Sequence, residues 1–273
     1  MTESDDITVV AAVNDDRVLG CNLLRSPDLV MPSGRQLLFQ RGFRSASQAY
    51  NSAFDEAEHD LVVFVHQDVF LPAGWFDMLT SAVDWLDANA CRWGVLGSFG
   101  SARQVHGGVG RVFTTGMGVH GNSIEVPAPV ETLDEIVLVL RKSSPLRFDP
   151  SLPHFHLYGS DICLESRRLG LDAYAIPAPC VHNTNQVLQL PREFYACYRH
   201  LKRKWPRELP IHASCMTISR FDLQMRRRQA EEAWQRLNIR RRDPLLRADD
   251  PSGLAAFNRR LVPAGTHPTI GRR

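Results

Sequence analysis

Carboxylates and histidines in this chain recur directly after short apolar runs. The clearest case is LVVFVHQDVFLP over residues 61–72, where five apolar residues, three of them valine, give way abruptly to His66, Gln67 and Asp68. Such a run predicts a strand buried on both faces of a parallel sheet, and ligands of open α/β sheets bind beyond the carboxyl ends of strands. An aspartate there has two uses: holding a metal ion, or capping the turn or helix that opens near Gly74 and Trp75. ITVVAAV at residues 7–13 repeats the arrangement, ending in Asn14, Asp15 and Asp16. That polar end suits hydrogen bonding to a base or ribose, or is simply a solvated turn. Ser160 or Asp161 stands where a helix ending at Gly170 opens, and a simple N-cap is one reading of Asp161. His182 and Asn183 follow a last short β segment, and VETLDE at residues 130–135 sets Glu131, Asp134 and Glu135 ahead of an apolar strand at 136–140.

The elements that position these groups alternate. Residues 36–58 show helical periodicity through Ala46, Ala49, Tyr50, Ala53 and Phe54, residues 75–86 are amphipathic, and WGVLGSF at 93–99 reads as a further strand. The order β-α-β-α-β predicts a three-layer α/β sheet with right-handed crossovers. No G-x-G-x-x-G follows the first strand, which argues against a dinucleotide-binding domain, and HGGVGR at 106–111 lacks the Lys-Ser/Thr of a phosphate-binding loop. Residues 94–121 hold nine of the eighteen glycines, a composition shared by hairpins and substrate loops. Asn51 lies inside the first helix, where asparagine is a poor helix former and has no assigned role. Beyond it, residues 191–205 and 221–237 form basic helices, and 238–273 reads as a flexible basic tail.

At 273 residues and 44% hydrophobic the chain can bury one sizeable core without disulfides. Its six cysteines show no C-x-x-C pair, and no apolar run approaches the roughly 18 residues of a membrane span. The acidic MTESDD start is unlike a signal peptide, so a cytoplasmic location is expected. The net charge of +2 divides unequally, with thirteen arginines and six acids after residue 214. The body is mildly acidic, so nucleic acid is not an expected partner, whereas the basic helices suit a peripheral membrane or other acidic contact.

Taken in order, VHQD, the glycine-rich middle, VETLDE, FHLYGSDICLESRRLG and VH resemble the GT-A nucleotide-sugar glycosyltransferases, in particular the glycosyltransferase-like group associated with streptomycin biosynthesis. The resemblance spans roughly residues 7–183. It implies a GT-A-like, mostly parallel three-layer sheet over 5–190 with a helical extension at 191–237. In that superfamily a D-x-D motif holds a divalent cation against the diphosphate, and here His66-Gln67-Asp68 keeps only the last aspartate. The resemblance further implies that Asn14, Asp15, His66, Gln67 and Asp68 bind the nucleotide-sugar. It places His182 with Asp68 on the cation, an oxygen and nitrogen set that suits Mn2+ or Mg2+. Asp161 matches the superfamily's E-D catalytic position and becomes the expected base, without the glutamate. Asp134 is a second catalytic candidate, and His156 and Glu131 are assigned to the acceptor side. The expected activity is transfer of a sugar from a nucleotide-sugar donor to an acceptor hydroxyl with inversion. A catalytically inactive sugar-nucleotide binder and a glycoside hydrolase are the competing readings.

Overall fold

Side-chain alternation along each strand decides which face of the central sheet a residue packs on. In the computed structural model, which describes residues 5–30, 34–185, 189–238 and 246–255, Val62 and Phe64 face one way while Leu61, Val63 and Val65 face the other. The first face is covered by the helices Ala46–Glu56, Tyr158–Arg168 and Arg192–Lys204, through Tyr50, Phe54, Tyr158, Ile162, Phe194 and Tyr198. The second is covered by Trp75–Ala88, through Trp75, Phe76, Leu79, Val83 and Leu86. This is a three-layer α/β arrangement.

The central sheet has seven strands in the order Ala128–Val130, Asp172–Ala175, Trp93–Gly97, Val137–Arg141, Leu61–Val65, Ile7–Val13, Gln36–Arg41. Five run in one direction, and Val137–Arg141 and Ala128–Val130 run against them. Residues 36–41, expected to begin a helix, instead form the edge strand Gln36–Arg41, parallel to Ile7–Val13. The helix starts only at Ala46, where the Ser45 hydroxyl accepts from the Gln48 amide at 3.3 Å. Asn51 gains a reason: its side chain bonds both the carbonyl oxygen (2.8 Å) and the amide (3.1 Å) of Phe148, fastening the irregular approach to the Tyr158–Arg168 helix.

The glycine-rich region folds into short strands. A four-stranded sheet runs Val69–Phe70, Cys180–His182, Val112–Thr114, Gly118–His120. Gly110 shows why glycine is needed there: its φ is +84°, and a Cβ would lie 2.2 Å from the Ser98 carbonyl oxygen. This sheet sets His182 opposite Val69, one residue from Asp68. The basic 191–237 segment contains the Arg192–Lys204 and Leu223–Asn238 helices with a two-stranded hairpin between them, and its first helix belongs to the main core. Of the tail expected to be flexible, residues 246–255 lie against the body and include the short Pro251–Ala255 helix, while 239–245 and 256–273 fall outside the described residues.

Candidate functional site

The carboxyl ends of Ile7–Val13 and Leu61–Val65 lie side by side, and one glutamine joins them. Gln67 Oε1 accepts from the amides of Asn14 (3.1 Å) and Asp15 (3.2 Å), and its Nε2 donates to Asn14 Oδ1. Asp15 is committed to its own helix, its carboxylate accepting from the amides of Arg17 and Val18. Asp16, paired with Arg41 at 2.5 Å, is the acid that reaches the adjoining cleft. That cleft holds about 620 Å3, and its walls include Asn14, Asp16, Arg41, His66, Asp68 and Tyr158. Of the residues expected to meet a nucleotide, Asn14, His66, Gln67 and Asp68 line it and Asp15 does not.

At one end of the cleft His66, Asp68 and His182 converge, each offering a ligand atom within 4.8 Å of the others. His182 Nε2 lies 3.4 Å from Asp68 Oδ1, and the two imidazole centroids are 5.7 Å apart. Asn183, just beyond, donates its amide to the Asp68 carbonyl oxygen at 2.9 Å, which locks the two segments in register. Burial alone would push the Asp68 carboxyl up, but His182, His66 and Arg247 outweigh it and hold the group well below its ordinary range. For His182 burial works downward, and the Asp68 carboxylate more than offsets it, so the imidazole is raised. His66 is pushed down to about 4 by burial and by His182, against the pull of Asp68, so it is neutral near pH 7.

Neutrality alone does not fix which His66 nitrogen carries the proton. The Tyr158 hydroxyl donates to the Glu135 carbonyl oxygen at 3.1 Å, and His66 Nε2 is 2.7 Å from that same hydroxyl oxygen. The hydroxyl thus holds the His66 ring from behind at Nε2; when a cation takes Nδ1, Nε2 must carry the hydrogen and Tyr158 accepts it. Two imidazoles and one carboxylate, one imidazole oriented from behind, fit a divalent cation with coordination positions to spare.

Asp161 does not join this group. It is 1% exposed and lies in the first turn of the Tyr158–Arg168 helix, whose N-cap residue, Leu157, makes no side-chain capping bond. One carboxylate oxygen accepts from Trp205 Nε1 at 2.7 Å and the other from Lys204 Nζ at 2.8 Å. Lys204 also contacts Asp149 and Glu165. This buried cluster ties the helix to Arg192–Lys204 and engages both carboxylate oxygens of Asp161 away from the cleft. Glu131 pairs with Arg103 at 3.1 Å, and the half-buried His156 packs its ring on Phe194, neither of them lining the cleft. Asp134 accepts from the Ile136 amide and the Ser214 hydroxyl. It stands close enough to His66, His120 and His182 to favour the charged form of each.

Glu135 was not assigned a role from sequence. It is half-buried, accepts from the Leu157 amide at 2.9 Å, and is raised to about 8 by burial and by the neighbouring Asp134. His66 as a cation ligand was also missed: the strand ends at Val65 and the chain turns, the Val69 amide donating to the His66 carbonyl oxygen at 3.1 Å, so no regular alternation announced that His66 and Asp68 face together.

No protein-family model matches the chain. A curated relative, ORF 6 of the ATP synthase subunits region of Fuscovulum blasticum, is 31% identical over 153 residues, or 55% of this chain and 61% of the relative. The chain thus matches less than two thirds of that protein's length. Among solved structures, GalNAc-T7 with UDP, GalNAc and Mn2+ is similar over 85% of this chain and 56% of its own, at 8% identity and a TM-score of 0.49. Mannosyltransferase PcManGT from Pyrobaculum calidifontis, in complex with GDP-Man and Mn2+, is similar over 94% of this chain and 80% of its own, at 13% identity and a TM-score of 0.45. Both scores lie below 0.5, and the functional reading that follows rests on the chain's own residues. Among the described residues no helix is long and apolar enough to cross a membrane.

Proposed function

We propose that the chain is a GT-A-like nucleotide-sugar glycosyltransferase that uses a divalent cation, Mn2+ or Mg2+, at His66, Asp68 and His182. The observation that carries this reading is the convergence of those three side chains at the end of a cleft built from strand carboxyl ends. The donor set alone would also suit ferrous iron. What favours a sugar nucleotide is the adjoining space of about 620 Å3, with amide and carboxylate groups of Asn14 and Asp16 available to a base or ribose. A cation held there would supply Lewis acidity toward the departing diphosphate. Tyr158 holds the His66 ring beside that position, and Gln67 holds the two strand ends that shape the nucleotide side.

The burial of Asp161 favours a second reading, a binder of sugar nucleotides without turnover. One experiment separates the two. The protein is screened by thermal shift against UDP-, GDP-, ADP- and dTDP-sugars with manganese, and nucleoside diphosphate release is then followed for the stabilising donor with simple sugar acceptors. The transferase reading expects manganese-dependent stabilisation and acceptor-dependent release. Stabilisation without release supports the binder, and the lack of any donor-dependent shift contradicts both.

A further inference from the structure

We infer that Arg247, carried on the strap 246–250, is a binding residue for the diphosphate of the nucleotide ligand. This rests on the reading of the cleft as a nucleotide-sugar site. The strap is fastened at several points. Ala248 exchanges two hydrogen bonds with the buried Asn183 side chain, both at 2.8 Å, and the Arg247 amide donates to Asn185 Oδ1 at 3.0 Å. Asn183 is held in turn by Asn22 and Thr115, and Arg25 donates to the Asp249 carbonyl oxygen at 3.2 Å. A segment more than sixty residues along the chain from His182 is therefore anchored to the residue that follows it.

The anchored strap delivers a guanidinium that is poorly satisfied. Its closest carboxylate, Asp68 Oδ2, is 3.6 Å away, an ion pair beyond hydrogen-bond reach, and Nε is buried with no hydrogen-bond partner. A buried guanidinium donor without an acceptor is costly, and a planar fork matches phosphate oxygens in two directions at once. The charge balance points the same way. When a divalent cation takes Asp68, Arg247 loses its only close carboxylate among the described residues and gains a like charge as neighbour. A diphosphate bound at the cation restores neutrality for both. Cation and diphosphate are thus coupled through Arg247, each binding more tightly when the other is present.

The test uses the full chain and its Arg247→Ala and Arg247→Lys variants. Affinity for UDP, GDP, ADP and dTDP is measured by calorimetry in saturating manganese, and manganese binding alone is measured by electron paramagnetic resonance. We expect Arg247→Ala to weaken the preferred diphosphate by about tenfold or more. Arg247→Lys should recover part of that loss, and manganese alone should bind the alanine variant at least as tightly as the parent. A diphosphate affinity within twofold of the parent's overturns the inference. So does a parallel loss of manganese affinity, which would make the strap a support for the cation ligands. If the parent binds none of the four diphosphates, the nucleotide-sugar reading falls and the inference falls with it. If the parent binds and the alanine variant binds equally, only the inference falls.

Discussion

The Tyr158 hydroxyl lies 2.7 Å from His66 Nε2 and 3.1 Å from the Glu135 carbonyl oxygen, so it holds the His66 ring from behind. Replacing Tyr158 with phenylalanine keeps the ring in the core and removes the hydroxyl that holds the His66 imidazole at Nε2. Manganese affinity should fall roughly 10-fold to 100-fold, the range for losing a supporting contact behind a ligand, with the fold retained. Equal manganese affinity in the two proteins, read by electron paramagnetic resonance, would show that Tyr158 does not orient His66. Glu135 sets a pH dependence. Its folded value of about 8 lies above its ordinary 4.5, so the native state binds this proton more tightly than the unfolded chain does. The contribution is therefore fully present below about pH 4.5 and is lost as pH rises through about 8. Glu135→Gln removes the loss: urea denaturation should find the variant more stable than the parent at pH 8, with the difference shrinking toward pH 5. A difference that stays constant across that range would contradict the shift.

At the scale of elements, the Arg192–Lys204 helix is bound to Tyr158–Arg168 by Lys204 and Trp205 closing on Asp161. Asp161→Ala leaves Lys204 with Asp149 and Glu165 but strips the indole of its acceptor, and should cost about 1–3 kcal/mol of stability. Nucleotide affinity should stay within twofold of the parent. A hundredfold loss of turnover with unchanged stability would instead support the catalytic role that the family resemblance implied for Asp161. Local sequence shows an acid at a helix start and stops there, because the partners that decide its role lie 43 and 44 residues away. Residues 36–41 were hidden for a different reason. QLLFQR is an edge strand with one strand neighbour and mostly half-buried side chains, so it lacks a fully apolar run, and the regular spacing of Ala46 to Phe54 absorbed it into a helix. The buried strands at 7–13 and 61–65 were legible because both of their faces are covered.

For the whole molecule, the central sheet brings residues 14 and 67 together by parallel pairing of adjacent strands, which alternation along the chain already implies. The meeting of residues 68 and 182 depends on the small four-stranded sheet, whose register is carried by strands of only two or three residues. No periodicity is long enough there to announce it, and the expectation that Asp68 and His182 share a cation came from a family resemblance. The strap 246–250 was less legible still, since its composition is that of a flexible tail and its anchors are single polar contacts to Asn183 and Asn185.

The central claim is that His66, Asp68 and His182 hold a divalent cation that a sugar nucleotide needs. Titrating manganese into the full chain and into Asp68→Asn, with and without the stabilising sugar nucleotide, and counting bound ion by electron paramagnetic resonance tests it most directly. The parent should bind one manganese per chain, more tightly with the nucleotide present. Asp68→Asn keeps the size of the side chain but removes its charge, and should weaken that binding by roughly 100-fold or more, at the upper end of or beyond the loss typical of a supporting contact. Manganese binding of unchanged stoichiometry and affinity in Asp68→Asn would contradict the account.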